Sequence, residues 1–193
     1  YGHRISYLRV SITDRCNERC SYCMPDEVQT WLDREEVLSY HEILRVIRAG
    51  VSLGISKVRV TGGEPLTRPG AIEFLQDVGR IPEVKNLGLS TNGTLLARPV
   101  SRDSSDTNAE ALFQAGVGAL NLSLDTLNRE AYAKTAGRDL LPQFLEGLET
   151  ARSAGFENIR LNCVLMRHRN EHELWDLVEF AREKGCLLRF IEL

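Results

Sequence analysis

The chain has 193 residues, 42% of them hydrophobic and 26% charged, so it is long enough to bury one substantial core and predicts a single domain over residues 1–193. Its net charge of −3 and its lack of any basic run argue against nucleic acid as a partner. No apolar stretch approaches the roughly 20 residues of a membrane-spanning helix, which predicts no membrane association and a cytoplasmic protein.

Six β-rich segments alternate with helical patterns along the chain, which is typical of βαβ units in a parallel sheet. The predicted strands cover residues 5–12, 57–61, 84–90, 118–124, 158–165 and 186–191. Six such units predict an α/β fold, an open partial (β/α)6 barrel similar to a TIM barrel, with helices on the outer face. An antiparallel sheet with one solvated face is the alternative, which the intervening helices disfavour.

The first and last helices have the clearest start signals. Ser39 and Glu42 have the spacing of a capping box in front of an apolar stripe. Asn170 and Glu173 repeat that spacing before the last helix. Between them, the polar residues 98–108 predict a solvated loop that precedes a helix near residues 109–115.

Polar and apolar residues alternate along the predicted strands, as Leu8 and Val10 alternate with Arg9 and Ser11 in the first. Successive side chains point to opposite faces, so one face of the sheet is apolar and the other polar. A closed barrel fills its interior with Val, Ile and Leu, whereas this interior is predicted to be wet, cationic and occupied by a ligand. Four arginines can face this interior: Arg9, Arg59, Arg160 and Arg189. The alternative for each is an ordinary ion pair on the protein surface.

A cysteine-rich loop follows the first strand. Cys16, Cys20 and Cys23 have the spacing C-x3-C-x2-C, so three of the five cysteines lie within eight positions. Three such thiolates can each bind one iron of a four-iron cluster and leave the fourth iron free for a small ligand. A zinc site and free thiols are the alternatives, but no second cysteine pair is present for zinc. The crowding suits a metal site in a reducing compartment, and Cys163 and Cys186 read as small buried hydrophobic residues.

Turn-forming residues follow the next three strands. Gly62-Gly63-Glu64-Pro65 comes after the second, where two glycines permit close approach of the backbone to a ligand. Ser90 begins a turn that contains Asn92 and Gly93 after the third. Ser123 and Asp125 end the fourth on its polar face, although Asp125 could instead cap the next helix.

These motifs together resemble the radical S-adenosylmethionine (SAM) superfamily, in which C-x3-C-x2-C binds a 4Fe-4S cluster and an aromatic residue, here Tyr22, precedes the last cysteine. The resemblance implies an enzyme in which one electron from the cluster cleaves SAM to methionine and a 5′-deoxyadenosyl radical. It implies no catalytic residue beyond the cluster and SAM. The SAM-binding residues that it implies are Tyr22, Gly62, Gly63, Glu64, Pro65 and Ser123.

Within the superfamily, the chain is most similar to the GTP 3′,8-cyclases of molybdenum cofactor biosynthesis, from residues 7–17 through Met24-Pro25 to residues 189–192. This resemblance implies GTP as substrate, a lyase that forms 3′,8-cyclo-7,8-dihydro-GTP, a protein reductant and a homodimer. The residues that it implies for GTP are Arg9, Arg59, Ser90 and Arg160. A peptide-modifying radical SAM maturase and a non-catalytic metal-binding module are the competing interpretations.

The sequence departs from the cyclase pattern at three places. Arg160 stands where that family usually has a lysine, and Glu18 stands where a leucine is common in the cysteine loop. The family continues beyond the sixth strand with a methionine that contacts SAM and a region that binds a second cluster, neither of which is found in these 193 residues. The chain alone is therefore expected to be incomplete for cyclisation.

Overall fold

The computed structural model describes residues 5–24, 31–33 and 35–192. The two ends of the predicted 1–193 domain and Pro25 of the cyclase-like segment lie outside the described residues. Among the described residues, no helix is both long enough and apolar enough to cross a membrane.

Six parallel strands form one sheet whose spatial order follows the chain. The strands are β1 (Tyr7–Ser11), β2 (Lys57–Thr61), β3 (Asn86–Thr91), β4 (Val117–Ser123), β5 (Ile159–Leu165) and β6 (Leu187–Glu192). The helices are α1 (Tyr40–Ser52), α2 (Ala71–Gly79), α3 (Asn108–Gln114), α4 (Arg129–Ala136), α5 (Leu141–Ser153) and α6 (Leu174–Glu183). Each strand pairs in parallel with the next, so the predicted α/β architecture and its six strands are confirmed.

The core lies between the sheet and the helices. It contains the apolar residue of each alternating pair in the strands, such as Val58, Leu89, Leu120 and Leu161, together with Ile47 of α1. Removing this apolar surface from water is the main favourable contribution to folding. The polar residues of the same strands consequently face the opposite side, where the candidate site lies.

The helix starts agree with the sequence in one case and differ in the other. Ser39 and Glu42 form the predicted capping box of α1. The last helix instead begins with a 3-10 turn, Glu171–Glu173, and α6 follows at Leu174. The Asn170 side chain makes no capping bond, because its amide donates to the carbonyl oxygens of Asp125 and Val164 and accepts from the backbone N–H of Met166. The residue fastens the β5–α6 loop to the end of β4.

Candidate active site

A cavity of about 840 Å³ opens at the polar face and the C-terminal ends of the strands. It brings together twelve of the residues that the sequence singled out: Arg9, Cys16, Cys20, Tyr22, Cys23, Arg59, Gly62, Gly63, Ser90, Ser123, Arg160 and Arg189. Glu64 and Pro65 are buried and do not line it. A second cavity, also about 840 Å³, shares Tyr22, Phe190 and Ile191 with the first.

The cysteine loop is held against helix α4 by backbone hydrogen bonds. Arg19 N donates to Ala136 O at 2.7 Å, and Ser21 N donates to Thr135 O at 2.9 Å. Within the loop, Cys23 N donates to Cys20 O at 2.9 Å. These bonds fix the two ends of the segment that contains Cys20, so the thiols have a rigid support.

An asparagine network fastens the other side of the loop to the end of β3. Asn92 Nδ2 donates to Asn17 Oδ1 at 2.8 Å, and Asn17 Nδ2 donates to Thr94 Oγ1 at 2.9 Å. Asn92 Nδ2 also lies 3.9 Å from Cys16 Sγ. The Asn92-Gly93 turn that the sequence predicted therefore also supports Cys16 of the cysteine motif.

The donor set fits an iron-sulfur cluster. Burial raises the pKa of Cys16 to about 11 and raises that of Cys20 further, so both thiols stay protonated in the absence of a cation. A bound metal supplies the positive charge that stabilises the thiolates. No three His, Cys, Asp or Glu side chains of the described residues are arranged to hold a single metal ion. In a four-iron cluster each cysteine binds a different iron, so such convergence is not required.

The two glycines after β2 are needed for contact with the cysteine loop. A Cβ atom on Gly62 would lie 2.6 Å from Thr13 O, and one on Gly63 would lie 2.4 Å from Arg15 O. Gly63 N donates to Thr13 O at 2.7 Å. The sequence predicted close backbone approach at this turn, and the partner found in the structure is the loop that carries Cys16.

Glu64 joins the turn after β2 to the end of β3. Its fully buried carboxylate accepts hydrogen bonds from Thr91 Oγ1 at 2.8 Å, Asn92 N at 2.7 Å and Leu66 N at 3.0 Å. Burial raises the pKa of Glu64 to about 7, against the lowering effect of these donors. Its position makes it a support for the cavity wall.

Tyr22 is held by the end of β4. Its hydroxyl donates to Asp125 Oδ2 at 2.7 Å, and Asp125 Oδ1 accepts from Val164 N at 2.8 Å. Helix α4 is capped by Asn128, so the alternative that Asp125 is the cap is wrong. Ser123, two residues before Asp125, lines the cavity as the strand alternation predicted.

The arginines of the polar face make the cavity cationic. Among the described residues, none of Arg9, Arg59, Arg160 and Arg189 forms an ion pair, so the surface-pair alternative is not found there. Burial, with Arg160 and Arg59 nearby, lowers the pKa of Arg189, whose Nε and Nη2 both donate to Asn162 Oδ1. A Cβ atom on Gly88 would lie 2.9 Å from Arg59 Cζ, so the Arg59 guanidinium packs against β3 at a position that has no side chain.

Glu18 and Asn121 are among the cavity residues that were not predicted as site residues from the sequence. Glu18 lines the cavity between two cysteines, only 4% exposed. Asn121 of β4 also lines it, 8% exposed, and its side-chain oxygen has no hydrogen-bond partner among the described residues. The signals were available, since Glu18 is a carboxylate inside the cysteine motif and Asn121 occupies a polar position of its strand.

Comparison with known proteins places these features in context. The family model of the radical SAM superfamily matches residues 10–181. A protein of Ectopseudomonas mendocina named GTP 3′,8-cyclase is 45% identical over 192 residues, which is 100% of this chain and 55% of that protein. One of Petrotoga mobilis with the same name is 41% identical and is covered to 57%. The chain thus spans little more than half the length of these curated relatives.

Solved structures are similar in fold. SuiB of Streptococcus suis bound to S-adenosylmethionine has a TM-score of 0.72 and 18% identity, over 97% of this chain and 40% of that one. Methylornithine synthase (PylB) has a TM-score of 0.65 and 16% identity, over 96% of this chain and 52% of that one. At these identities the likeness concerns the fold alone, and it agrees with the partial barrel predicted from the sequence.

Proposed function

The chain belongs to the radical SAM superfamily, and on this basis we propose that it forms the core of a GTP 3′,8-cyclase, a lyase of molybdenum cofactor biosynthesis. The observation that carries the proposal is one cavity in which three cysteines and four arginines without acidic partners, among the described residues, lie together. The names of relatives that are 41–45% identical over the whole chain support it. Because the chain spans about half of those relatives, their activity is proposed here for this polypeptide as part of such an enzyme.

Cys16, Cys20 and Cys23 would hold the cluster, and Tyr22, Gly62, Gly63 and Ser123 would line the space for SAM. When bound, the cluster and SAM supply a one-electron cleavage that yields methionine and a 5′-deoxyadenosyl radical. The protein's contribution is to hold the two groups and to exclude competing reactions. The family resemblance assigns Glu64 and Pro65 to SAM. Because both are buried and do not line the cavity, their role in this proposal is to support the turn after β2.

The arginines would bind the triphosphate of GTP. A triphosphate carries several negative charges close together, and guanidinium groups bind phosphate oxygens in paired hydrogen bonds. Arg9, Arg59 and Arg160 would provide these bonds, with Ser90 as a further donor. Arg160 takes the position of the lysine common in the family, so it retains the charge and adds planar, two-pronged recognition.

Reduction of a cluster requires an electron donor, so we propose a reductant protein as a partner. Three unpaired thiols at one site are stable in a reducing compartment, which supports the cytoplasm. We also propose a single core domain over residues 1–193, as the chain length predicts, and a homodimer, as the family resemblance implies.

Binding measurements under anaerobic conditions test the proposal. With the cluster-loaded chain, Arg59→Ala or Arg160→Ala should weaken GTP binding by about 1.5–3 kcal/mol, the range for hydrogen bonds to charged groups. Gly88→Ala should also weaken it by displacing the Arg59 guanidinium without removing charge. SAM affinity should stay the same in all three variants. Arg80→Ala is the control, because Arg80 pairs with Asp77 on the surface and should affect neither ligand.

Other results would point elsewhere. A chain that binds SAM but not GTP would favour another radical SAM enzyme, such as a peptide-modifying maturase. Equal loss of GTP and SAM in the arginine variants would contradict the division between the two ligands. A preparation that takes up zinc in place of iron and sulfide would support a non-catalytic metal-binding module.

A further inference from the structure

Asn121 carries a buried polar group for which the described part of the chain offers no partner. Its side chain lines the cavity, the residue is 8% exposed, and Oδ1 makes no hydrogen bond among the described residues. The large majority of buried side-chain polar atoms in folded proteins do have a partner. The other such atom in the described residues, Gln143 Oε1, belongs to a residue that does not line this cavity.

The strand register defines the surroundings of Asn121. It lies opposite Ser90 of β3 on one side and opposite Arg160 of β5 on the other. Ser123, which we propose for SAM, is two positions further along β4, a rise of about 6.7 Å. Asn121 therefore lies between the proposed SAM site and the arginines proposed for the triphosphate.

The hydrogen-bonding capacity of Asn121 and its neighbours limits which group of a ligand can bind the amide oxygen. The amide oxygen of Asn121 needs a donor. Phosphate oxygens at neutral pH are acceptors and cannot supply one, and the guanidinium of Arg160 carries donors but makes no bond to this oxygen among the described residues. A hydroxyl group both donates and accepts, and an amide can satisfy it in both directions. The last torsion of asparagine is soft, so rotation of the amide can bring the oxygen to the cavity.

We infer that Asn121 binds a ribose hydroxyl of the nucleoside triphosphate and makes the site selective for ribonucleotides over deoxyribonucleotides. The inference rests on the proposed function and adds to it a residue that recognises the sugar. The ribose is bonded to the α-phosphate, so a residue beside Arg160 can reach the ribose when Arg160 holds that phosphate. Sites that bind a substrate hydroxyl through a buried polar group discriminate strongly against analogues that lack it.

Binding of GTP, 2′-deoxy-GTP and 3′-deoxy-GTP to the cluster-loaded chain tests the inference. The unmodified chain should bind one of the deoxy analogues about tenfold more weakly than GTP, as loss of one hydrogen bond requires. In Asn121→Ala, GTP should bind as weakly as that analogue, so the discrimination disappears. Asn121→Asp keeps an acceptor oxygen, so it should retain the discrimination although its charge lowers the affinity for every triphosphate.

Asn162→Ala is the matched control. Asn162 lines the same cavity on the next strand, but its oxygen already accepts two hydrogen bonds from Arg189. Its removal should change the affinity for GTP and both analogues by the same factor. The inference is overturned if Asn121→Ala still discriminates between GTP and the deoxy analogue, or if the unmodified chain does not discriminate between them. A loss of SAM affinity in Asn121→Ala also overturns it. If the unmodified chain binds no GTP, the proposed function itself fails.

Discussion

The hydroxyl of Tyr132 donates a hydrogen bond of 2.5 Å to Oε1 of Glu18. Both residues are only 4% exposed, one on helix α4 and the other inside the cysteine motif. The second carboxylate oxygen of Glu18 lies 3.8 Å from Cys20 Sγ. The pair is a side-chain link between α4 and the loop that we propose to carry the cluster.

Tyr132→Phe should lower the free energy of unfolding by about 1–3 kcal/mol, because it leaves a buried carboxylate without its hydroxyl donor. Urea denaturation measures the loss. Tyr40→Phe is the control, since the Tyr40 hydroxyl makes only a 3.4 Å bond to Arg68 O, and a change below about 0.5 kcal/mol is expected. The double change Glu18→Leu with Tyr132→Phe replaces both partners by apolar groups and should recover part of the loss. Equal losses in the two tyrosine variants would contradict a special role for the pair.

Glu64 should make stability fall as pH rises towards neutrality. Its pKa is raised to about 7 in the folded chain, whereas a glutamate in an unfolded chain has a pKa of about 4.3. Between these values the folded chain holds a proton that the unfolded chain releases. The free energy of unfolding should therefore decrease by about 1.4 kcal/mol per pH unit in this window and level off above it.

Urea denaturation from pH 5 to pH 8 compares the chain with Glu64→Gln, which should lack this part of the slope. Glu42→Gln serves as control. Hydrogen bonds to Ser39 lower the pKa of Glu42, so its contribution changes only under more acidic conditions. A slope that is the same with and without Glu64 would show that this carboxyl group titrates normally.

Gly63→Ala should disrupt the cysteine loop. The new Cβ atom would lie 2.4 Å from Arg15 O and 2.6 Å from Asp14 O, and both are backbone atoms that cannot move alone. Overpacking of this kind typically costs about 1–3 kcal/mol, and iron uptake should fall with it. Gly118→Ala is the control, because its nearest neighbour would be 3.9 Å away. Normal iron content in Gly63→Ala would show that the loop tolerates displacement.

Much of the fold could be predicted because it follows from the periodic pattern of polar and apolar residues. Alternation along the strands identified the apolar face with Val58 and Leu161 and the cavity face with Arg59 and Arg160, as the structure confirms. The start of α1 was predictable because a capping box involves only Ser39 and Glu42, three residues apart. These signals are local, so one sequence is sufficient to read them.

What the sequence could not provide were contacts between distant segments. Nothing near Asn170 indicates that its amide binds the end of β4, 45 residues away, in place of capping a helix. The partner of Glu18 is 114 residues away, and a buried carboxylate is exceptional without one. Gly62 and Gly63 were read as a place for ligand approach, but only the packed structure reveals the cysteine loop against them.

Replacement of any of the three motif cysteines should prevent cluster loading, whereas replacement of Cys163 should not. Cys16→Ala, Cys20→Ala and Cys23→Ala each remove a thiolate that would bind one iron, so anaerobic reconstitution should load little or no cluster. Cys163 is fully buried in the core, away from the cavity, so Cys163→Ala should load a normal amount. Iron and sulfide analysis with absorption spectra measures the outcome. Equal loading in all four variants would show that the motif is not the cluster site.

The 193-residue polypeptide, loaded with cluster and reduced by dithionite, should release 5′-deoxyadenosine from SAM without forming a cyclised nucleotide from GTP. The residues that we propose to hold the cluster and SAM all line one cavity of this chain. Ring closure further requires the ribose and base of GTP to be held in reacting geometry, and small misplacements cost orders of magnitude in rate. The relatives named cyclases are nearly twice as long as this chain, which covers 55% of the first of them, so part of that positioning is expected outside these residues. Chromatography of the quenched reaction measures both products, with Cys20→Ala as the control that should release neither. Formation of the cyclised nucleotide would show that these residues suffice for substrate positioning, whereas the absence of 5′-deoxyadenosine would show that they do not form a working core.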